Sequence, residues 1–356
     1  MQSTHGGNII ATAMRLGCAT SDLIDMSSNL TPLGIAPGVK QAIRDNLDRI
    51  AYLPESASES LLDTFAAKYG ISPNQALAGN GTTEFIFALP DLFQGKRALI
   101  INPTYSDYRL ACTRAGLRVD NHNLSMENGF CLDLDRLQEN LQGKELVFCC
   151  NPNNPTGGLT SSRELYGFIK ANPATSFFID ESYLPFTREK SLIEFDLLPN
   201  LYLLSSFSKI YGVPGLRLGF LISASHDFRQ LSKVRKPWGV NTLAQVAGEF
   251  LLKNGDSYME EVRDFVARER LHFVQSLETV PGVSVMPGKA NFILSCLQGP
   301  VSVEKLQDRL LEKKIMIRNC ESFESLDNHF FRISLKDQEA NRYCLEAMHE
   351  ILDFGD

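Results

Sequence analysis

At 356 residues, 44% hydrophobic and 22% charged, the chain can bury a large core and is expected to form more than one lobe. A net charge of −7 argues against nucleic acid or an anionic membrane surface as the main partner. No apolar run reaches the ~18 residues of a membrane-crossing helix. Met1–Asn8 has neither a basic nor an apolar leader character, so export is not expected. The eight cysteines form no C-x-x-C pair and the six histidines show no metal-ligand spacing. A cytoplasmic enzyme without a metal is the expectation.

Residues 1–35 read as an arm followed by an extended segment, in which Pro32 and Gly34 forbid regular structure. A helix is predicted from about Pro37, with Val39, Ile43, Leu47 and Ile50 at helical spacing, and another over Ser58–Tyr69. Ala76–Glu84 then runs from a short strand into a helix. Thr82 and Thr83 fall at that helix N-terminus, where free N–H groups and the helix dipole attract a phosphate. Gly79-x-Gly81-x-x-Glu84 lacks the third glycine of a dinucleotide fingerprint, so it is a weak signal for that fold.

Strands and helices alternate from here. Arg97–Asn102, Glu145–Cys150, Ser176–Ile179, Leu201–Leu204 and Leu218–Ile222 are nearly continuous apolar runs, separated by segments such as Ser106–Ala115, Leu134–Leu141 and Ser161–Ala171. That pattern predicts an α/β domain whose mostly parallel sheet is covered on both faces. Such sheets hold ligands at the carboxyl ends of their strands, where Thr82, Tyr105, Asn154, Asp180, Tyr183 and Lys209 all fall. Beyond Lys236-Pro-Trp-Gly239 the order changes. A long helical region over Thr242–Leu277 leads to short strands at Val283–Met286, Phe292–Leu294, Ile315–Arg318 and Phe331–Leu335. Helices are expected at Val303–Lys313 and from about Gln338, which together predict a smaller α+β lobe.

The chemistry centres on Leu201–Phe220. Lys209 lies between two core strands, and a buried ammonium is costly unless it is neutral or covalently engaged. Ser206, Ser208 and Arg217 around it suit a bound phosphate. A lysine beside a phosphate site points to pyridoxal 5'-phosphate (PLP), although a Ser-Ser-x-Ser-Lys loop is also an ordinary solvated turn.

Read together, Asn151-Pro-Asn-Asn-Pro-Thr-Gly-Gly158, Asp180-Glu-Ser-Tyr183, Ser206-Phe-Ser-Lys209 and Gly215-Leu-Arg217 resemble the fold-type I PLP enzymes of the aminotransferase class over nearly the whole chain. The resemblance implies a large domain over residues 36–236 and a small domain over 237–356, with 1–35 as an arm and part of the small domain. Lys209 would hold the cofactor covalently and move protons at the substrate Cα. Asp180 would face the pyridine nitrogen, although Asp after a strand is also a common helix N-cap. Tyr183 and Asn154 would bond the ring hydroxyl, and Tyr105 would stack on the ring face. Thr82, Thr83, Ser206, Ser208 and Arg217 would share the phosphate, at roughly 1.5–3 kcal/mol per charge-assisted bond. In the family a Tyr directly before a Pro reaches the cofactor phosphate of a neighbouring subunit. Here Ala51-Tyr-Leu-Pro-Glu55 puts Tyr52 one position early, so either the loop is shifted or the contact is absent.

Within the class the chain resembles the histidinol-phosphate aminotransferases, and still more the L-threonine-O-3-phosphate decarboxylases of cobalamin synthesis. His5-Gly-Gly-Asn8, Ser27-Ser-Asn-Leu-Thr-Pro-Leu-Gly34 and Pro237-Trp-Gly-Val-Asn241 carry that likeness. By resemblance, Arg332 and Asn29 hold the substrate α-carboxylate, with Asn154 nearby, while Arg318, His5 and Asn8 meet its phosphate. Either arginine could instead be a surface salt bridge. The implied reaction is loss of CO2 from O-phospho-L-threonine or O-phospho-L-serine in a homodimer. The alternatives are a histidinol-phosphate-type aminotransferase and, remotely, a PLP-fold regulator without turnover.

Overall fold

The computed structural model describes residues 7–234 and 237–353. A two-residue strand, β1 (Ile24–Asp25), precedes the main sheet. That sheet comprises β2 (Ala76–Asn80), β3 (Arg97–Asn102), β4 (Arg118–Asn123), β5 (Leu146–Cys150), β6 (Ser176–Asp180), β7 (Leu201–Ser206) and β8 (Leu218–Ile222). The spatial order is β2-β8-β7-β6-β5-β3-β4, and β8 alone runs against the rest. Every residue of β5 and β8 is buried, because helices or loops cover both faces. Each fully buried Leu, Ile or Phe there contributes about 1.5–3 kcal/mol.

The edge strand β4 is absent from the sequence expectation, and its composition explains why. In Arg-Val-Asp-Asn-His-Asn only His122 is buried, so neither an apolar run nor a clean alternation marks it. The helix expected through Ile50 is shorter: it spans Val39–Asp45, and a 3-10 turn follows over Leu47–Ala51. Leu47 and Ile50 face outwards. The long helical region is two helices, Thr242–Asn254 and Asp256–Leu277. At Gly255, between them, a Cβ would sit 2.6 Å from the Leu251 carbonyl oxygen and 2.7 Å from the Tyr211 ring.

A second sheet, fully antiparallel, contains β9 (Val283–Val285), β10 (Phe292–Leu297), β12 (Arg318–Asn319) and β13 (Phe330–Ser334) in the order β12-β13-β10-β9. Between β10 and β12 in sequence lies β11 (Ile315–Met316), which pairs in parallel with β1. Helices Val303–Glu312 and Gln338–Asp353 pack together beside this sheet. Helix Thr242–Asn254 packs on helices Val39–Asp45 and Glu59–Tyr69, on the side of the larger sheet. We therefore place the passage between lobes inside helix Asp256–Leu277 rather than at residue 236.

Residues 26–31 run between the lobes. The Ser334 N–H donates to the Met26 carbonyl at 2.9 Å, and the Thr31 N–H donates to the Lys209 carbonyl at 3.0 Å. The Asn291 amide donates to the Leu30 carbonyl at 2.9 Å. The Pro237–Asn241 motif has a structural use as well. The Asn241 side chain caps helix Thr242–Asn254 by accepting from the Ala244 N–H, and it donates to the Leu216 carbonyl, next to Arg217.

β8 passes close beneath the start of helix Thr82–Ala88. A Cβ on Gly219 would stand 2.7 Å from the Thr82 nitrogen and 3.0 Å from the Gly81 carbonyl carbon, both backbone atoms with little room to give. Gly219→Ala should cost about 1–3 kcal/mol of unfolding free energy. Urea denaturation checks this as a lowered midpoint with an unchanged slope.

Candidate active site

The carboxyl ends of β2, β3, β5, β6 and β7 converge on a cavity of about 110 Å³. Ten of the residues singled out in the sequence line it: Thr82, Thr83, Tyr105, Asn154, Asp180, Tyr183, Ser206, Ser208, Lys209 and Arg217. A second cavity of about 140 Å³ adjoins it, lined by Asn29, Arg318 and Arg332 among others. Tyr105, Asn154, Tyr183 and Lys209 belong to both walls, so the two spaces meet at the lysine.

Lys209 lies in the short helix Phe207–Ile210 that closes β7. Its amine is surrounded by protein and faces the cavities. Burial, then Arg332 and Arg217, push its pKa down to about 8, while Asp180 pulls the other way. Asp180 ends β6 and does not cap a helix. Its Oδ1 accepts from the Ser182 N–H at 2.9 Å, and its Oδ2 accepts from the Tyr108 hydroxyl at 2.7 Å. Burial raises the Tyr183 pKa to about 12 against the opposing pull of Arg332 and the Asn29 amide, so the phenol stays protonated.

Arg332 is buried, 5% exposed, and so is no surface salt bridge. It donates to the Asn154 side-chain oxygen and, at 2.7 Å, to the Ser27 carbonyl, and its guanidinium lies 5.3 Å over the Phe292 ring. Its Nε has no partner. Asn29 links the two lobes. Its amide donates to the Tyr183 oxygen at 3.2 Å, and its Oδ1 accepts from Ser334 at 2.6 Å. Arg318 donates to the Ser322 hydroxyl at 2.7 Å and lies 5.6 Å over the Phe323 ring.

The remaining expectations fare differently. His5 lies outside the described residues. Asn8 is exposed at the start of helix Ile9–Leu16 and belongs to neither cavity, because the chain turns into the helix there. The neighbouring Gly7 N–H does reach the Ser27 hydroxyl at 3.0 Å, at the edge of the second cavity. Tyr52 is 75% exposed and belongs to neither cavity. Sequence reasoning missed Tyr108, Ser28, Ser106, Ser322 and Phe323, which also line the walls. Tyr108 carried a signal, since it is a second tyrosine three residues beyond Tyr105, at the start of helix Asp107–Arg114. The Ser322–Phe323 loop carried none.

The sequence matches the family Aminotransferase class I and II over residues 21–348. The chain belongs to that family. This aminotransferase-family chain is 32% identical over 359 residues to the threonine-phosphate decarboxylase of Salmonella typhimurium, covering 98% of this chain and 97% of that protein. It superposes on the histidinol-phosphate aminotransferase of Clostridium acetobutylicum with a TM-score of 0.87 at 28% identity, over 93% of this chain and 100% of that one. The L-threonine-O-3-phosphate decarboxylase of Porphyromonas gingivalis gives 0.84 at 27% identity, with the same coverage.

The cofactor of this aminotransferase-family chain is PLP. The residues present fit it. The Ser208 hydroxyl is buried with no partner and lines the first cavity together with Thr82, Thr83, Ser206 and Arg217, a donor set suited to a phosphate. Gly81, at φ +75°, has no room for a Cβ because the Arg217 guanidinium lies against it. The lysine pKa sets a test of the apoprotein. Only the neutral amine can attack an aldehyde, so the rate of PLP capture should rise with pH through about 8 and then level off. Stopped-flow absorbance checks the profile, and Lys209→Ala should retain no label after borohydride reduction.

Proposed function

We propose that this chain removes CO2 from O-phospho-L-threonine or O-phospho-L-serine, giving the aminoalcohol phosphate that links the cobamide nucleotide loop. The observation that carries this reading is the second cavity. It joins the lysine to two guanidiniums, Arg332 and Arg318, on one short path, which suits a substrate anionic at both ends. Full-length similarity to the Salmonella typhimurium protein supports the same choice.

When bound, PLP supplies an electron sink for the pair left on Cα as a bond there breaks. The chain's own residues do the rest. Arg332 presents a planar fork, already oriented by Ser27, Asn154 and Phe292, to the substrate carboxylate. Asn29 stands beside it. Arg318, steadied by Ser322 and Phe323, takes the phosphate at the other end. Fixing both ends decides which Cα bond is aligned for cleavage. As the Cα–carboxylate bond breaks, CO2 leaves and Lys209, with a pKa near the working pH, carries the proton that replaces it.

We further propose a cytoplasmic homodimer. Leu47, Ile50, Tyr52 and Leu53 form an exposed apolar stretch suited to a second copy. All eight cysteines are free, in keeping with a reducing compartment. Among the described residues no helix is long and apolar enough to cross a membrane. With the passage between lobes placed inside helix Asp256–Leu277, the substrate would be held between residues of both lobes.

The holoenzyme should release CO2 from O-phospho-L-threonine or O-phospho-L-serine, and the ratio of the two rates names the substrate. Glutamate formed from histidinol phosphate and 2-oxoglutarate, without CO2 from either phosphoamino acid, would instead establish an aminotransferase. Arg332→Lys keeps the charge but loses the fork, and should lower kcat/KM for the phosphoamino acid by about 10- to 100-fold.

A further inference from the structure

Tyr108 touches the two side chains placed against the cofactor ring, and the reading of the first cavity does not use it. It lies three residues after Tyr105, in helix Asp107–Arg114. Its side chain is 1% exposed. The ring stacks on Phe148 of β5 at 5.3 Å and meets Phe178 of β6 edge-on at 6.3 Å, so two central strands fix its position. Tyr105 packs edge-on against it at 5.7 Å and 83°. The hydroxyl, 2.7 Å from Asp180 Oδ2, is the donor, because an ionised carboxylate can only accept.

We infer that Tyr108 is a positioning residue that sets both Asp180 and Tyr105, and so controls how strongly the pyridine nitrogen keeps its proton. This rests on the PLP reading of the first cavity. Each Asp180 oxygen has one fixed donor, the Ser182 N–H on Oδ1 and Tyr108 on Oδ2, and these hold the carboxylate at one angle to the cavity. Two fixed donors hold the carboxylate in place and keep its charge turned to the cavity, where it can pair with a proton on the ring nitrogen. Burial and the neighbouring Asp180 raise the Tyr108 pKa well above its ordinary value, so the hydroxyl does not give up its proton itself. The same ring supports Tyr105 edge-on, so one side chain orients both the in-plane and the face contact.

A phenylalanine would pack as well as the tyrosine, which separates this role from a merely structural one. Tyr108→Phe holoenzyme, loaded with PLP labelled with 15N in the ring, is compared with wild type by NMR at one pH. The expected result is a ring-nitrogen shift moved towards that of neutral pyridine, as a carboxylate no longer held by the phenol pairs less well with the ring-nitrogen proton. kcat for CO2 release should fall about tenfold with KM little changed. Incorporating 3-fluorotyrosine at position 108 strengthens the donor and should move the shift the opposite way, a measurement that remains if the phenylalanine variant does not fold. Ring-nitrogen shifts identical to wild type in the variants that fold would overturn the inference. Failure of wild type to bind PLP would overturn the cofactor reading and, with it, this one.

Discussion

A buried amine among guanidiniums is the condition on which the rest of the structure depends. Lys209 shares its surroundings with Arg217 and Arg332, and Asp180 is the one carboxylate that pulls its pKa upward. Burial first, and then the two guanidiniums, push the lysine pKa down. The nearby phenols and thiols cannot offset the guanidiniums, because burial keeps Tyr183, Cys149 and Cys150 protonated. The site therefore stores positive potential that only incoming anions can balance: the cofactor phosphate, then a doubly anionic substrate. Affinity for anions and reactivity of the lysine have one electrostatic origin.

That potential is useful only if both lobes stay in register, and residues 26–31 keep them so. The segment bonds β13 through Met26, receives the Asn291 amide at Leu30, and donates to the Lys209 carbonyl through Thr31. Asn29 sits mid-way between Tyr183 of the large lobe and Ser334 of the small one. Arg332 crosses the same gap to Asn154. Substrate-end and cofactor-end groups are thus joined by a hydrogen-bonded chain rather than by two independent walls.

Much of this was legible in the sequence wherever burial imposed a simple pattern. β5 to β8 are apolar because both faces are covered, and Lys209, Asp180 and Asn154 follow their ends at once. β4 was illegible because an edge strand with one buried residue needs no such pattern. Leu47 and Ile50 misled for the converse reason: helical spacing of apolar residues marks a face that something covers, and among the described residues nothing covers theirs. The position between the two helices is a glycine because a Cβ there would meet the Leu251 carbonyl and Tyr211, the latter distant in sequence. Ser322 and Phe323 reach the site only because β12 pairs with β13. Spacing along a chain carries no trace of such contacts.

The reversed strand β8 has a consequence for how the protein is made. It is inserted between β2 and β7, so residues 76–80 stay without their sheet neighbour until residues 218–222 have been synthesised. A nascent chain ending near residue 200 would carry β2 as an unpaired, largely apolar edge, the kind of surface on which partly made chains associate. The same late pairing brings Arg217 against Gly81. Phosphate affinity and protection from aggregation therefore arise together, in one long-range step.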